Sequence, residues 1–187
     1  MELIDAIQQI AILPDAELEK LLGITERIEV EKNSILIDKD RTSKYIYFLT
    51  EGICRIYYPK EQKEAVLDFC FPGDSILSLK SYVHNTPGYE IVDTLENCVL
   101  YRIPVSKLQH LYNSSLPISN WGRKLAELET LKIEQRLMQT LFKTATERYS
   151  DLLTKEANVL QRIKLGYIAS YLGVTQVTLS RIRAEIK

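Results

Sequence analysis

Gln176, Val177, Thr178, Ser180, Arg181 and Arg183 stand within eight consecutive residues. They offer amide, hydroxyl and guanidinium groups, the chemistry that pairs with base edges and phosphates. Arg181 can make two parallel bonds to guanine O6 and N7, Gln176 can pair with adenine, and Val177 suits a thymine methyl. Lys164, Arg183 and Lys187 are candidates for phosphate contacts, whose loss weakens all sequences alike. Such groups act only if something rigid presents them together. Ile168, Leu172, Leu179 and Ile182 recur at helical spacing on either side of Gly173, giving each half one buried stripe. Gly173 sits where a first helix must stop in a left-handed conformation. Thr175 can cap a second helix through its hydroxyl. Ala169 is small where two helices would cross, and Val174 fills the corner. The spacing predicts two short helices meeting at a tight turn over Leu165 to Lys187, a DNA-binding helix-turn-helix.

Other chemistries are poorly provided for. Cys54, Cys70 and Cys98 are widely spaced with no CxxC pair, and they read as reduced, buried thiols. His84 and His110 stand far apart, so an imidazole-rich metal site is not expected. A metalloenzyme on a jelly-roll scaffold needs two or three convergent histidines and a carboxylate. No nucleophile–base motif or phosphate-cradling glycine loop is present either. The expectation is a non-enzyme without a cofactor. The net charge of −1 is unevenly placed: residues 155–187 hold six basic and two acidic residues, +4, leaving −5 for the remainder. A basic end on a mildly acidic body points to nucleic acid at that end alone. No apolar run reaches a membrane-spanning length and Met1-Glu2-Leu3 does not begin a signal peptide, so a cytoplasmic protein without membrane contact is expected.

Residues 2 to 22 carry apolar positions at helical spacing with a restart at Pro14-Asp15, predicting two short helices. From Ile28 the period becomes two. Ile28 and Val30, Ile35 and Ile37, residues 45–49 and 53–58, residues 65–71, 91–95 and 98–103 predict about eight short strands. Residues 45–49 and 53–58 look like a hairpin cornered near Gly52, and Pro59 to Lys63 like a charged turn. Glycine, proline and asparagine punctuation suggests a double-sheet jelly roll. A short helix follows from Pro104 or Ser106 to Tyr112. A long helical pattern then runs from about Ile118 to Leu153. One apolar edge includes Trp121, Leu128, Leu131, Met138 and Phe142; another reads Leu125, Ile133, Leu137 and Leu141. Two stripes imply the chain's own body on one side and a second chain on the other, although a helix buried on both sides within one monomer would show them too. Pairing suits symmetric readers, which place two recognition helices one DNA turn apart, about 34 Å.

Roll, long helix and helix-turn-helix, in that order, resemble the cyclic-AMP receptor and fumarate–nitrate regulator (Crp/Fnr) family of bacterial transcription factors. The resemblance rests on Leu165 to Ile182 and on the Pro72-Gly73-Asp74 turn. It implies an α+β protein with an N-terminal double-stranded β-helix, or jelly-roll, of cyclic-nucleotide-binding type, a dimerising helix and a C-terminal winged helix-turn-helix. The expected bounds are 1–116, 117–146 and 147–187, with any wing ahead of the motif around Lys155 to Lys164. Departures from the family pattern bear on the signal. Leu77 and Ser78 occupy the Gly-Glu positions of the phosphate cassette, and Gly88 or Tyr89 stands where its arginine would be. A cyclic phosphate buried beside Glu90 without that arginine would be stranded, so tight cyclic-nucleotide binding is not expected. The iron–sulfur branch needs N-terminal cysteines and the haem branch axial ligands, and neither set is supplied. Leu77, Ser78, Tyr82 and Tyr89 remain candidates for a pocket holding an unknown small-molecule effector. The expected partners are a roughly palindromic operator, a second copy of the chain and RNA polymerase.

Overall fold

The computed structural model describes residues 1–60, 63–155 and 158–185. Two amphipathic helices open the chain, α1 (Leu3–Ile10) and α2 (Asp15–Leu22). Among the described residues eight strands follow: β1 (Glu26–Val30), β2 (Ile35–Ile37), β3 (Tyr45–Glu51), β4 (Cys54–Lys60), β5 (Lys63–Cys70), β6 (Ser75–Ile76), β7 (Ile91–Thr94) and β8 (Cys98–Pro104). They form two four-stranded sheets, ordered β1-β8-β3-β6 and β2-β7-β4-β5. This is the expected roll of two sheets, and the family resemblance holds at that level.

The hairpin expected between residues 45–49 and 53–58 does not form. β3 already has β8 on one edge and β6 on the other. Just ahead of β6, Leu49 takes the Gly73 N–H on its carbonyl and gives its own N–H to the Asp74 carbonyl. With both edges of β3 taken, the chain crosses at Gly52 (φ +93°) and β4 enters the other sheet. A side chain at Gly52 would lie 2.7 Å from the Asn97 carbonyl, so the crossing needs glycine. β4 also runs through Pro59 to Lys60 instead of turning there, while residues 61–62 of the expected charged turn lie outside the described residues.

A helix that strand alternation does not announce, α3 (Leu79–His84), is capped by the Ser78 hydroxyl, which accepts the Ser81 N–H, and ends at left-handed Asn85. After β8 come α4 (Val105–Ser114), α5 (Leu116–Phe142), α6 (Ala145–Lys155), α7 (Val159–Arg162), α8 (Leu165–Leu172) and α9 (Gln176–Glu185). The long helical pattern is therefore two helices. Thr144 breaks it as an N-cap: its hydroxyl accepts the Glu147 N–H at 3.2 Å, and the Glu147 carboxylate accepts the Thr144 N–H at 2.8 Å. That reciprocal pair is a capping box, spelled Thr-x-x-Glu. The Thr144 N–H, and then its hydroxyl, hold the Glu147 carboxyl below its usual range, so this contribution is present above the unfolded carboxyl pKa and fades as pH falls. The wing expected around Lys155 to Lys164 is also not seen: the described residues there form α7 and no strand. Val159 and Ile163, both buried, follow helical spacing.

The chain divides into two compact units, residues 1–56 with 69–129, and residues 57–68 with 130–187. The first holds two apolar clusters. One lies between the sheets around Leu49, Val92 and Leu100. The other packs α1 and α2 against Phe48, Ile103, Ile118 and Trp121. Trp121 is fully buried, its ring centroid 6.2 Å from that of Phe48, and its indole N–H donates to the Ile7 carbonyl at 2.9 Å. Replacing it by alanine should lower unfolding free energy by about 3–5 kcal/mol through transfer and cavity terms. Trp121→Phe should cost less, mostly the stranded Ile7 carbonyl. Guanidinium midpoints read both; an alanine variant within ~1 kcal/mol of the parent would show that the indole does not hold α1 to α5.

Candidate nucleic-acid interface

The second unit presents the polar stretch of 176–183 as expected. Ile168, Ala169, Leu172, Leu179 and Ile182 are buried between α8 and α9. Gly173 adopts φ +68°, ψ +30°, and the Val174 N–H reaches back to the Ala169 carbonyl at 3.0 Å. This closes α8 with the left-handed cap the turn requires. The Thr175 hydroxyl accepts the Thr178 N–H at 3.1 Å, capping α9. Buried leucine and isoleucine fix which way α9 faces. Gln176, Val177, Thr178, Ser180 and Arg181 consequently lie exposed, with Arg183 half-buried and Lys164 exposed at the start of α8. The Lys164 ammonium lies 5.6 Å from the Tyr167 ring centroid. Lys187 lies outside the described residues.

Several residues that set this geometry carry no obvious sequence signal. Gly166 is one: a Cβ there would come within 2.8 Å of the Gln176 side-chain nitrogen, so glycine leaves room for that amide. Arg148 is another. It donates to the carbonyls of Gln139 (3.5 Å), Thr140 (3.2 Å) and Lys143 (3.1 Å) at the end of α5, and to Leu172 (2.7 Å) at the end of α8. Those of Thr140, Lys143 and Leu172 lie where a helix end leaves carbonyls without intrahelical partners, at the negative end of its dipole, while that of Gln139 also accepts the Lys143 N–H at 3.1 Å. Arg136, on α5, donates to the Tyr171 carbonyl and lies 3.7 Å over the Tyr171 ring. Burial raises the Tyr171 phenol pKa. Ser170 completes the row: its hydroxyl accepts the Val66 N–H at 3.0 Å and donates to the Glu64 carbonyl at 2.7 Å. Residues 170, 171 and 172 are thus each tied down immediately before the turn. The Thr-x-x-Glu capping box just ahead of Arg148 was the one available hint.

The expected dimer residues separate along α5. Trp121 departs from that role, since it is buried in its own unit. Leu128 is half-buried. From Leu131 onward both apolar edges are exposed: Leu131, Ile133, Leu137, Met138, Leu141 and Phe142, the last at 74%. A concavity of about 660 Å³ lies against Met138 and Phe142.

The four effector candidates do not converge. Leu77 and Tyr82 pack against the helix-side core, Ser78 is buried as the α3 cap, and Tyr89 is exposed. Gly88, one of the two positions considered for an arginine, has no room for a side chain: its Cβ would meet the Ser78 hydroxyl at 2.5 Å and the Glu90 carboxylate oxygens at 2.8 and 2.9 Å. Glu90 is itself buried.

Residues 27–115 match the family model of the cyclic nucleotide-binding domain. Among solved structures the chain is similar to FixK2 from Bradyrhizobium japonicum, with 18% identity over 87% of this chain and 84% of that one and a TM-score of 0.75. The c-di-GMP-responsive global regulator CLP of Xanthomonas campestris gives 16%, 92%, 91% and 0.71. A regulator assigned to the crp/fnr family from Eubacterium rectale gives 18%, 91%, 82% and 0.68. The chain thus contains a cyclic-nucleotide-binding-type domain and shares the fold of Crp/Fnr regulators, and the resemblance stated from its sequence is borne out. No curated protein matches the chain in sequence. Among the described residues no helix is long and apolar enough to cross a membrane.

Two substitutions test the mounting of the exposed row. Gly173→Ala should cost about 1–2 kcal/mol from left-handed strain alone, because nothing lies within 4 Å of its Cβ. Arg148→Ala should cost about 2–3 kcal/mol and speed amide exchange around Gly173, with Arg148→Lys recovering only part. Unchanged exchange there in Arg148→Ala would show that the guanidinium does not hold the turn.

Proposed function

We propose that this chain is a homodimeric, sequence-specific DNA-binding transcription regulator and not an enzyme. The observation that carries this is the exposed row Gln176, Val177, Thr178, Ser180 and Arg181 on a helix whose other face is buried against α8. In this reading α9 enters the major groove, Arg181 reads guanine, Gln176 adenine and Val177 a thymine methyl. Lys164, Arg183 and Lys187 hold phosphates. The exposed apolar half of α5 pairs with its copy through Leu131, Met138 and Phe142, with Leu128 at its margin, and the operator is roughly palindromic. The functional divisions are 1–116 as sensor, 117–146 as dimerising helix and 147–187 as reader. RNA polymerase is a further partner, and the protein works in the cytoplasm.

The roll serves as a sensor for something other than a cyclic nucleotide. Supporting this, neither candidate for the phosphate-neutralising arginine's position supplies a cation: Gly88 is wedged against Ser78 and the buried side chain of Glu90, and Tyr89 is exposed. A cyclic phosphate there would meet like charge in place of a guanidinium. Leu77, Ser78, Tyr82 and Tyr89 would have to rearrange to enclose an effector.

Binding titrations over a randomised operator library test the reading. Arg181→Ala should lose about 1–3 kcal/mol and relax preference at one base per half-site. Lys164→Ala and Arg183→Ala should weaken every sequence alike and flatten the salt dependence. Selection of no operator by the parent protein, or an unaltered preference in Arg181→Ala, would refute it.

A further inference from the structure

Cys54, Cys70 and Cys98 are all buried and none is in a disulfide. They share the apolar cluster between the sheets. Two of them are in direct sulfur-to-sulfur contact. Cys54 is the first residue of β4 and Cys98 the first of β8, strands that belong to different sheets. Their sulfurs are 4.0 Å apart. The backbone around them is fixed, because the Leu95 N–H donates to the Ile53 carbonyl at 2.8 Å. The Cys98 sulfur also faces the carbonyls of Ile53 at 3.6 Å and Glu96 at 3.4 Å. Above it lies the crossing at Gly52, where an added Cβ would stand only 2.5 Å from that sulfur. Gly52 is half-buried and Asn97 exposed, so the sulfur lies one residue beneath the surface. A disulfide needs sulfurs at about 2.05 Å, so the pair has roughly 2 Å to close by side-chain rotation.

We propose that Cys54 and Cys98 form a reversible dithiol–disulfide pair that joins the two sheets of the roll when the protein meets a hydroperoxide. Cys98, beneath the turn, reacts first. Its sulfur attacks the hydroperoxide, an S–O bond forms, the O–O bond breaks and an alcohol leaves, giving a sulfenic acid. The Cys54 sulfur then attacks that of Cys98, the S–S bond forms, the S–O bond breaks and water leaves. Two thiols and one hydroperoxide become one disulfide, one alcohol and one water. The hydrogen bond to Cys98, and then burial, keep the Cys54 thiol well above its ordinary pKa. This makes Cys54 the resolving partner and not the first nucleophile. The pair is independent of what α9 binds.

The test uses the folded, full chain. It is exposed to hydrogen peroxide, denatured with an alkylating agent, digested and mapped. Alkylatable thiols should fall from three to one. The Cys54 and Cys98 peptides should be linked within one chain, Cys70 alkylated, and dithiothreitol should restore all three. The oxidised protein should melt at higher temperature, since the bond closes a loop between residues 44 apart. Cys54→Ser should leave a Cys98 sulfenic acid that dimedone labels, and Cys70→Ser should leave the disulfide intact. If a variant does not fold, the mapping on the parent protein still decides. Three alkylated thiols after treatment, a bond to Cys70, or links only between chains would overturn the proposal. The first of these is the result expected of thiols that serve only as small apolar core residues.

Discussion

A helix cannot satisfy its own last carbonyls, and in the C-terminal unit two helices reach that condition at one place. α5 stops at Phe142 and α8 at Leu172, and the guanidinium of Arg148 faces the stranded carbonyls of both. Much of the unit's geometry follows from this shared ending. The capping box at Thr144 begins α6 so that Arg148 falls on its first turn. Because Arg148 pins Leu172, the left-handed residue that follows has a fixed starting direction. Because that direction is fixed, the buried stripe of Leu179 and Ile182 can decide which side chains of α9 face outward. A planar fork with donors on several nitrogens suits this task, and an ammonium would not reach four carbonyls at once.

The N-terminal unit is governed by a different constraint, the number of edges a strand has. β3 pairs on both sides, so the chain cannot fold back beside it and crosses to the opposite sheet instead. That crossing puts Gly52 over Cys98 and brings Cys54 beneath it. A residue pattern that looks like a hairpin corner is thus the device that threads two sheets into one roll. The same economy of space acts at Gly88, where Ser78 and Glu90 fill the volume a side chain would take.

Much of this was legible in the residues. Period-two alternation located the strands, and the Gly173–Thr175 turn located the last two helices, because both signals are local and each side chain reports its own exposure. What remained hidden was pairing and termination. Nothing in Tyr45 to Tyr58 distinguishes a hairpin from a crossing, since the deciding partners on β6 and β8 lie 27 to 59 positions away. The break at Thr144 was spelled out as Thr-x-x-Glu, but an apolar rhythm running across it masks a polar cap. Trp121 shows a further limit. On a helix with two apolar edges, periodicity cannot say which residues meet the chain's own core, and here the indole belongs to Ile7 and Phe48. The exposed polar row of 176–181 was visible, whereas Gly166 acts by leaving room for the Gln176 amide and Arg148 and Ser170 act on backbone atoms that no sequence spacing records.

Ser170 has a consequence outside recognition. β5 is the last strand of its sheet, and an outer strand presents unpaired amide and carbonyl groups that invite another chain to add itself. One serine hydroxyl occupies two of them, the Val66 N–H and the Glu64 carbonyl, in the way a neighbouring strand would. The helix that carries it therefore covers two groups of that outer strand which would otherwise be open to a further strand.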